Sequence, residues 1–554
     1  MPVMPVSPAV PAVQLMPMTE GQRELKLVTL DRRQFASTII GLQLILLLAA
    51  LDQTIITTAM PRIIAELGGF TRYAWATTSY LLTSTIAVPI FGKLSDQFGR
   101  KPLLLGGVAL FVVASIFCGA AGWMHLGPVD GMNQLIIARA LQGLGGGIML
   151  GLIFIVIADI LAPADRGRYQ GHFAAVFALA SIIGPTLGGF IADKLTWRWL
   201  FFINAPLGAL AMIVLYLSFP SAKPVAPGEK IDSLGITVFS ATLVPLLLGL
   251  SWMADYGWTG LPVVITLLIA ALMAATFVAV EVRAPNPLMP LMLFSQPILA
   301  ISSFSLFVTG IGMFGSVLLI PLFLQSVIGV SAAVSGALLT PLILTVAVTS
   351  IISGLILSKT KLYKSLVLFA LLLMTVGVFH LARIDATSPL TSIITYMLVV
   401  GAGMGLLLPV YTIVIQNAVP QDRVGTVTGF SQFFRSIGGT IGVALFGSIM
   451  LASYRHNLRT MLAGKATAET IALLHNPLDA AKLKMQLDTM LSHSQLSETS
   501  ASLLQYVQKA LVASIDGVFM LYAGLLAITL IVSLWLEERP LRSAGDYGAR
   551  SETL

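Results

Sequence analysis

A chain of 554 residues that is 56% hydrophobic and only 10% charged cannot cover itself as a soluble body does, because soluble domains draw on roughly 25% charged residues. Its net charge of +7 would suit nucleic acid, but the basic residues stand between apolar runs with no aromatic-interleaved stripe, which excludes that partner. A single cysteine, Cys118, allows no intrachain disulfide, and the six histidines show no ligand spacing, so no metal or other cofactor is expected.

Residues 1–35 carry Pro2, Pro5, Pro8, Pro11 and Pro17 and read as a flexible tail; they lack the basic start and apolar core of a secretory signal. A helix crosses about 30 Å of hydrocarbon with about 20 mainly apolar residues. Such runs occur fourteen times, at 36–60, 74–94, 103–122, 133–160, 169–192, 199–219, 232–253, 262–282, 298–325, 332–357, 365–384, 390–418, 425–453 and 513–536. None alternates as a barrel strand does. The fold class is therefore an all-α polytopic membrane protein with 14 transmembrane helices.

Lys and Arg in short loops orient such a chain. One set of segments holds Lys93, Arg100, Lys101, Arg166, Arg168, Lys223, Lys230, Arg283, Lys359, Lys361, Lys364, Arg423 and Arg539, with Arg32 and Arg33 before the first span. The opposite short loops hold only Arg62, Arg72, Lys194, Arg198 and Arg383. The basic set is expected in the cytoplasm, with both termini, in a multi-pass protein of the cell membrane (the inner membrane of a Gram-negative source). The long connection 454–512 then lies outside. Apolar residues at three-and-four spacing near Ala480–Leu491 suggest amphipathic helices on that face, either a solvated cap or a surface for an outer-side partner.

Two segments repeat. Pro163-Ala164-Asp165-Arg166 opens the fifth span and Pro420-Gln421-Asp422-Arg423 the thirteenth, each leading into a glycine-rich helix. The repeats stand eight spans apart, where two six-helix halves would put them six apart. The expected organisation is an N-terminal six-helix bundle at 36–219, an inserted pair at 232–282, a C-terminal six-helix bundle at 298–536 and a cytoplasmic tail at 537–554.

Several motifs then carry a resemblance. Gly92-Lys93-Leu94-Ser95-Asp96-Gln97-Phe98-Gly99-Arg100-Lys101 is similar to the loop between the second and third helices of the major facilitator superfamily. Leu51-Asp52-Gln53-Thr54-Ile55-Ile56, Arg139-Ala140-Leu141-Gln142-Gly143 and Gly184-Pro185-Thr186-Leu187-Gly188-Gly189 resemble first-, fourth- and fifth-helix signatures of its fourteen-helix branch, the drug:proton antiporter-2 family. The resemblance implies a major-facilitator fold and export of amphipathic small molecules such as drugs, in exchange for protons, by alternating access. It places Gln142 with Arg139 in the coupling region. This sequence departs from the pattern at Ala180, where glycine is expected, and in the loop Gly354–Lys364, which lacks the acid and second glycine. The thirteenth helix carries Arg435 and no acid, which weighs against organic dications.

Charges deep in a membrane are costly and mark function. Asp52 and Arg139 lie at similar depths, about 12 and about 9 Å from the outer ends of their helices at 1.5 Å per residue, so they can pair. An acid that alternates between protonated and paired states would couple protons to substrate; a fixed structural pair is the plainer reading. Arg435 is expected to line the cavity of the second half. In the loop, Gly92 allows close helix approach, Gly99 an angle other residues disfavour, and Lys101 adds to the basic end. Asp96 can face the amino terminus of the thirteenth helix, and Arg100 can reach Asp159, forming with Arg166 a gate at the cytoplasmic ends. Gly184, Gly188 and Gly189 allow tight packing, and Pro185 bends the fifth helix.

A membrane enzyme would need clustered His, Asp or Glu at one face, and a channel a repeated selectivity element; neither is present in the sequence. Export of a lipid or endogenous metabolite stays open beside drug export, with a non-transporting membrane sensor as a more distant alternative.

Overall fold

The computed structural model describes residues 30–67, 74–124, 129–220, 228, 231–330, 332–385, 387–420, 423–463 and 498–542. Where water is absent, backbone polar groups must be satisfied within the segment, and every long element here is a helix. In chain order they are α1 (Arg32–Leu67), α2 (Ala74–Phe98), α3 (Arg100–Gly119), α4 (Gly131–Ile160), α5 (Pro163–Lys194), the short α6 (Trp199–Phe202) and α7 (Asn204–Ser218). Then follow α8 (Ser233–Tyr256), α9 (Leu261–Glu281), α10 (Pro297–Phe323), α11 (Ala332–Thr360), α12 (Lys364–Leu381), α13 (Leu390–Asn417), α14 (Val424–Leu462) and α15 (Glu498–Ser533). Hydroxyls inside the helices turn back onto their own carbonyls, as Thr54 does to Ala50 (3.1 Å) and Thr83 to Ser79 (3.0 Å). Carboxylates cap two starts: Asp130 accepts from Asn133 N at 2.8 Å and Asp232 from Gly235 N at 2.7 Å.

Among the described residues twelve helices are long and apolar enough to cross a membrane, against the fourteen runs expected. The other two runs fall on α2 and α10. α2 is 25 residues long but diluted by Thr77, Thr78, Ser79, Thr83, Ser84 and Thr85. α10 is apolar over the shorter stretch Pro297–Met313, with Leu319–Ile328 beyond it. Its last turn is a π-helix, Leu324–Ile328, ended by Gly329 at φ 88°.

The connection expected at 454–512 is shorter than that. α14 continues to Leu462 because Tyr454, Leu458 and Leu462 form a buried stripe at four-residue spacing, and α15 starts at Glu498 and buries Val507, Ala510 and Leu511. Asn457 and Ser514 join the two helices at 3.1 Å. The expected amphipathic stretch 480–491 lies outside the described residues.

Buried apolar residues of α1–α7 form two clusters and those of α10–α15 a large one. Between them α8 packs on α2 and α14, and α9 packs on α8. Phe239 of α8 joins Phe277 of α9 (5.4 Å) to Phe433 of α14 (5.3 Å). The outward face of α9, with Leu268 and Leu272 more than 60% exposed, suits lipid.

Candidate functional site

A cavity of about 390 Å³ lies between the two helix groups, in the range of small-molecule sites. α1, α2, α4 and α5 line one side, α10, α11, α13 and α14 the other, and α8 closes a flank. In each of four helices the lining stretch adjoins a stretch that touches the opposite group. α2 lines the cavity at 78–85 and α14 at 432–448, and they meet at Gly92, Gly425 and Gly429. α5 lines it at 170–177 and α11 at 346–350, and they meet at Gly167, Gly171, Ile351 and Gly354. These meetings lie toward the Lys/Arg-rich ends, so the cavity is sealed there. The second seal has no room for side chains: a Cβ on Gly167 would stand 2.9 Å from the Cα of Gly354.

Asp52, Arg139 and Gln142 come together as the sequence leads one to expect, but behind the cavity wall. Arg139 Nη1 donates to Asp52 Oδ2 at 2.6 Å and to Gln142 Oε1 at 2.7 Å. Asp52 Oδ1 accepts from Gln142 Nε2 at 2.8 Å and from Asn204 Nδ2 at 3.0 Å. Asn204 and Gln142 also donate to Ser115 Oγ, at 2.8 and 3.1 Å. The Arg139 guanidinium lies 4.3 Å from the centre of the Tyr80 ring. All are buried, and none of Asp52, Arg139 or Gln142 lines the cavity; the neighbouring Gln53 does. Arg435 does line it, 6.0 Å from the Phe154 ring centre.

At the basic end Arg100 Nε donates to Asp159 Oδ2 at 2.9 Å, and its Nη2 stands 2.6 Å from Asp96 Oδ1 as an ion pair without hydrogen-bond alignment. Arg100 also bonds the Ser95 hydroxyl, which donates to Gly92 O at 2.7 Å. Asp96 Oδ2 accepts from Thr426 Oγ1 at 3.2 Å in the first turn of α14, where the helix dipole favours an anion. Gly99 turns α2 into α3 at φ 89°. Arg166 donates to Leu161 O (2.9 Å), Ala158 O (2.8 Å) and Gln416 Oε1 (2.9 Å), so it ties α4 and α5 to α13.

Residues 537–542, the start of the stretch expected as a tail, pack against this end. Glu538 accepts from the N–H groups of Tyr363 (2.8 Å) and Lys364 (2.9 Å) and so caps α12. Burial raises the Tyr363 phenol to about 12, which keeps its proton for the bond to Glu537 O at 2.5 Å. Arg542 receives a bond from Ala164 N at 3.2 Å on α5 and gives one to Asn417 Oδ1 at 3.1 Å on α13.

The sequence profile described as Major Facilitator Superfamily matches residues 42–443. The chain belongs to this superfamily. It is 39% identical over 415 residues to the multidrug transporter protein MdtP of Bacillus subtilis (strain 168), covering 75% of each chain. It is 30% identical over 509 residues to Multidrug resistance protein 3 of the same organism, covering 92% of this chain and 96% of that one. The solved structure of the proton:xylose symporter XylE bound to 6-bromo-6-deoxy-D-glucose shares the fold, with TM-score 0.57 at 14% identity over 94% of this chain and 99% of that one.

Other motif residues of this major facilitator take packing positions. A Cβ on Gly184 would overlap the Thr54 hydroxyl, which holds α5 against α1; Gly188 is buried, and Gly189 faces open space. α5 runs unbroken from Pro163 to Lys194, and the side chain of Pro185 lies outside those described. Lys101 donates to Tyr216 O at 2.7 Å, away from the gate. Sequence reasoning passed over Asn204 and Ser115, which complete the shell of Asp52. It also passed over a clamp at the opposite end, where Glu66 accepts from Arg198 (2.6 Å) and Trp197 (2.7 Å). Their signal was weak, because polar residues in helices are common and only tertiary contact distinguishes these.

Proposed function

We propose that this protein is a proton-coupled exporter of amphipathic small molecules, working by alternating access between an N-terminal and a C-terminal six-helix bundle with α8 and α9 inserted between them. The observation that carries this is the cavity walled by both bundles and sealed at its basic end by glycine contacts and the Arg100–Asp96–Asp159 cluster. Such a seal is made of glycine approaches and a few polar contacts between helices of opposite bundles, so it can open without unpacking either core. With the basic end in the cytoplasm of a cell membrane, and both termini there, the described state faces outward. Protonation of Asp52 weakens its pair with Arg139 and lets α1 and α4 shift against the cavity wall. The names of the two Bacillus subtilis relatives, both multidrug proteins, support drugs as the cargo class.

The test uses inverted membrane vesicles whose lumen is acidified, loaded from outside with fluorescent amphipaths of different charge. Uptake above that of vesicles lacking the protein, abolished by nigericin, is expected for at least one probe. Uptake that ignores nigericin removes proton coupling, and no uptake of any probe removes the exporter reading.

A further inference from the structure

Among the described residues that line the cavity, the only charged side chain is Arg435. The wall is otherwise leucine, phenylalanine, valine and alanine with scattered hydroxyls and amides, and no Asp, Glu, Lys or His joins it. Arg435 has no ion-pair or hydrogen-bond partner among the described residues, with only the Phe154 ring beside it. A guanidinium set among mostly apolar side chains without a counter-charge is costly. A second donor points the same way. Gln170 lines the same cavity from α5, and its amide Nε2 is buried and has no acceptor. A buried donor without an acceptor is itself a cost, and it is removed when a ligand supplies the missing oxygen.

We propose that the cavity takes amphipathic organic monoanions, an apolar body with one carboxylate head, and that Arg435 is the residue that selects them. This rests on the exporter reading and names the cargo of that same cavity. A carboxylate accepts two parallel N–H bonds from a guanidinium, and an acceptor oxygen elsewhere on the cargo would suit the Gln170 amide. The apolar remainder of the cargo meets the Leu, Phe and Met wall, which adapts to shape more than it reads it. One cation compensates one negative charge, so a dianion would carry a second, uncompensated charge into a mostly apolar site. Cations meet repulsion from Arg435 and find no carboxylate on the described wall, in line with the absence of an acid from α14.

Three probes with one skeleton test this: 11-(dansylamino)undecanoic acid, its methyl ester, and the matching 11-(dansylamino)undecylamine. Binding is measured on the purified full chain in nanodiscs, and uptake in the inverted vesicles described above. The acid is expected to bind roughly tenfold or more tightly than the ester or the amine, the scale of a charged hydrogen bond. Arg435→Gln should bring the acid-to-ester ratio close to one, while Arg435→Lys retains part of the preference because it keeps charge and loses the fork. The comparison of probes on the unaltered protein stands even if a variant fails to fold. Equal binding of acid and ester, or tighter binding of the amine, overturns the proposal while uptake of any probe leaves export intact. If no probe binds and none is moved, both this proposal and the exporter reading fall.

Discussion

Asp52 and Arg139 are fully buried partners, and each would be an uncompensated charge without the other. Removing one member of a buried pair costs about 3–5 kcal/mol, whereas removing both is often close to neutral. Asp52→Asn alone therefore lowers both abundance in the membrane and transport. Asp52→Asn with Arg139→Gln separates packing from coupling: abundance should recover to near the unaltered level while proton-driven uptake stays abolished. Recovery of uptake along with abundance would make the pair structural. The pairing itself was legible in the sequence, because depth along two helices follows from residue counts. Its position behind the wall was not. Successive helical residues point about 100° apart, so Gln53 reaches the cavity and Asp52 does not, and the facing of α1 is set by the helices packed on it, α5 and α7 above all, not by its own residues. Asn204 and Ser115 were illegible for a related reason, since only after the helices pack does Asn204 donate to Asp52 and Ser115 accept from Asn204 and Gln142.

At the scale of elements, the loop between α2 and α3 was legible as a motif, and the face it grips was only partly so. Asp96 was expected at the start of α14, and it is held there by Thr426; the tightest fit, at Gly425, is a matter of tertiary contact. A Cβ on Gly425 would stand 2.5 Å from Asp96 Oδ1 and 2.9 Å from Arg100 Nη2. Gly92 is more forgiving, since a Cβ there would lie 3.4 Å from the nearest atom, at ordinary contact. Gly425→Ala should therefore displace the ion pair and cut transport severalfold, and Gly92→Ala should leave it nearly unchanged, at equal membrane abundance. The reverse order in a transport assay would show that α2 and α14 meet differently from the way described. The contact of α5 with α11 through Gly167 and Gly354 left no mark that sequence could show, because it joins helices from opposite halves of the chain.

At the scale of the whole molecule, the sequence repeats Pro163–Arg166 at Pro420–Arg423, which leads to the expectation of two bundles with a helix pair inserted between them. The span count was less legible, because hydropathy depends on local composition while α2 is placed by its neighbours. On the proposed alternating access, the basic seal and the opposite opening are never open together, so the cluster around Arg100 would act as a switch between two whole-molecule states. Loss of about 1.4 kcal/mol from the sealed state shifts that equilibrium tenfold. Asp96→Asn removes the charge that Arg100 and the start of α14 share, so it should favour the state open at the basic end. The chain offers a clean readout: its one cysteine, Cys118, is buried, so a cysteine placed at Ser436 on the cavity wall reports alone. With Asp96 intact, a membrane-impermeant maleimide should modify Ser436→Cys rapidly from the outer side of whole cells and slowly in inverted vesicles. Adding Asp96→Asn should slow the first reaction and speed the second, each severalfold, because one equilibrium governs both. Faster labelling from both sides at once would mean a leaking or unfolded bundle, and no change from either side would show that Asp96 does not hold the seal.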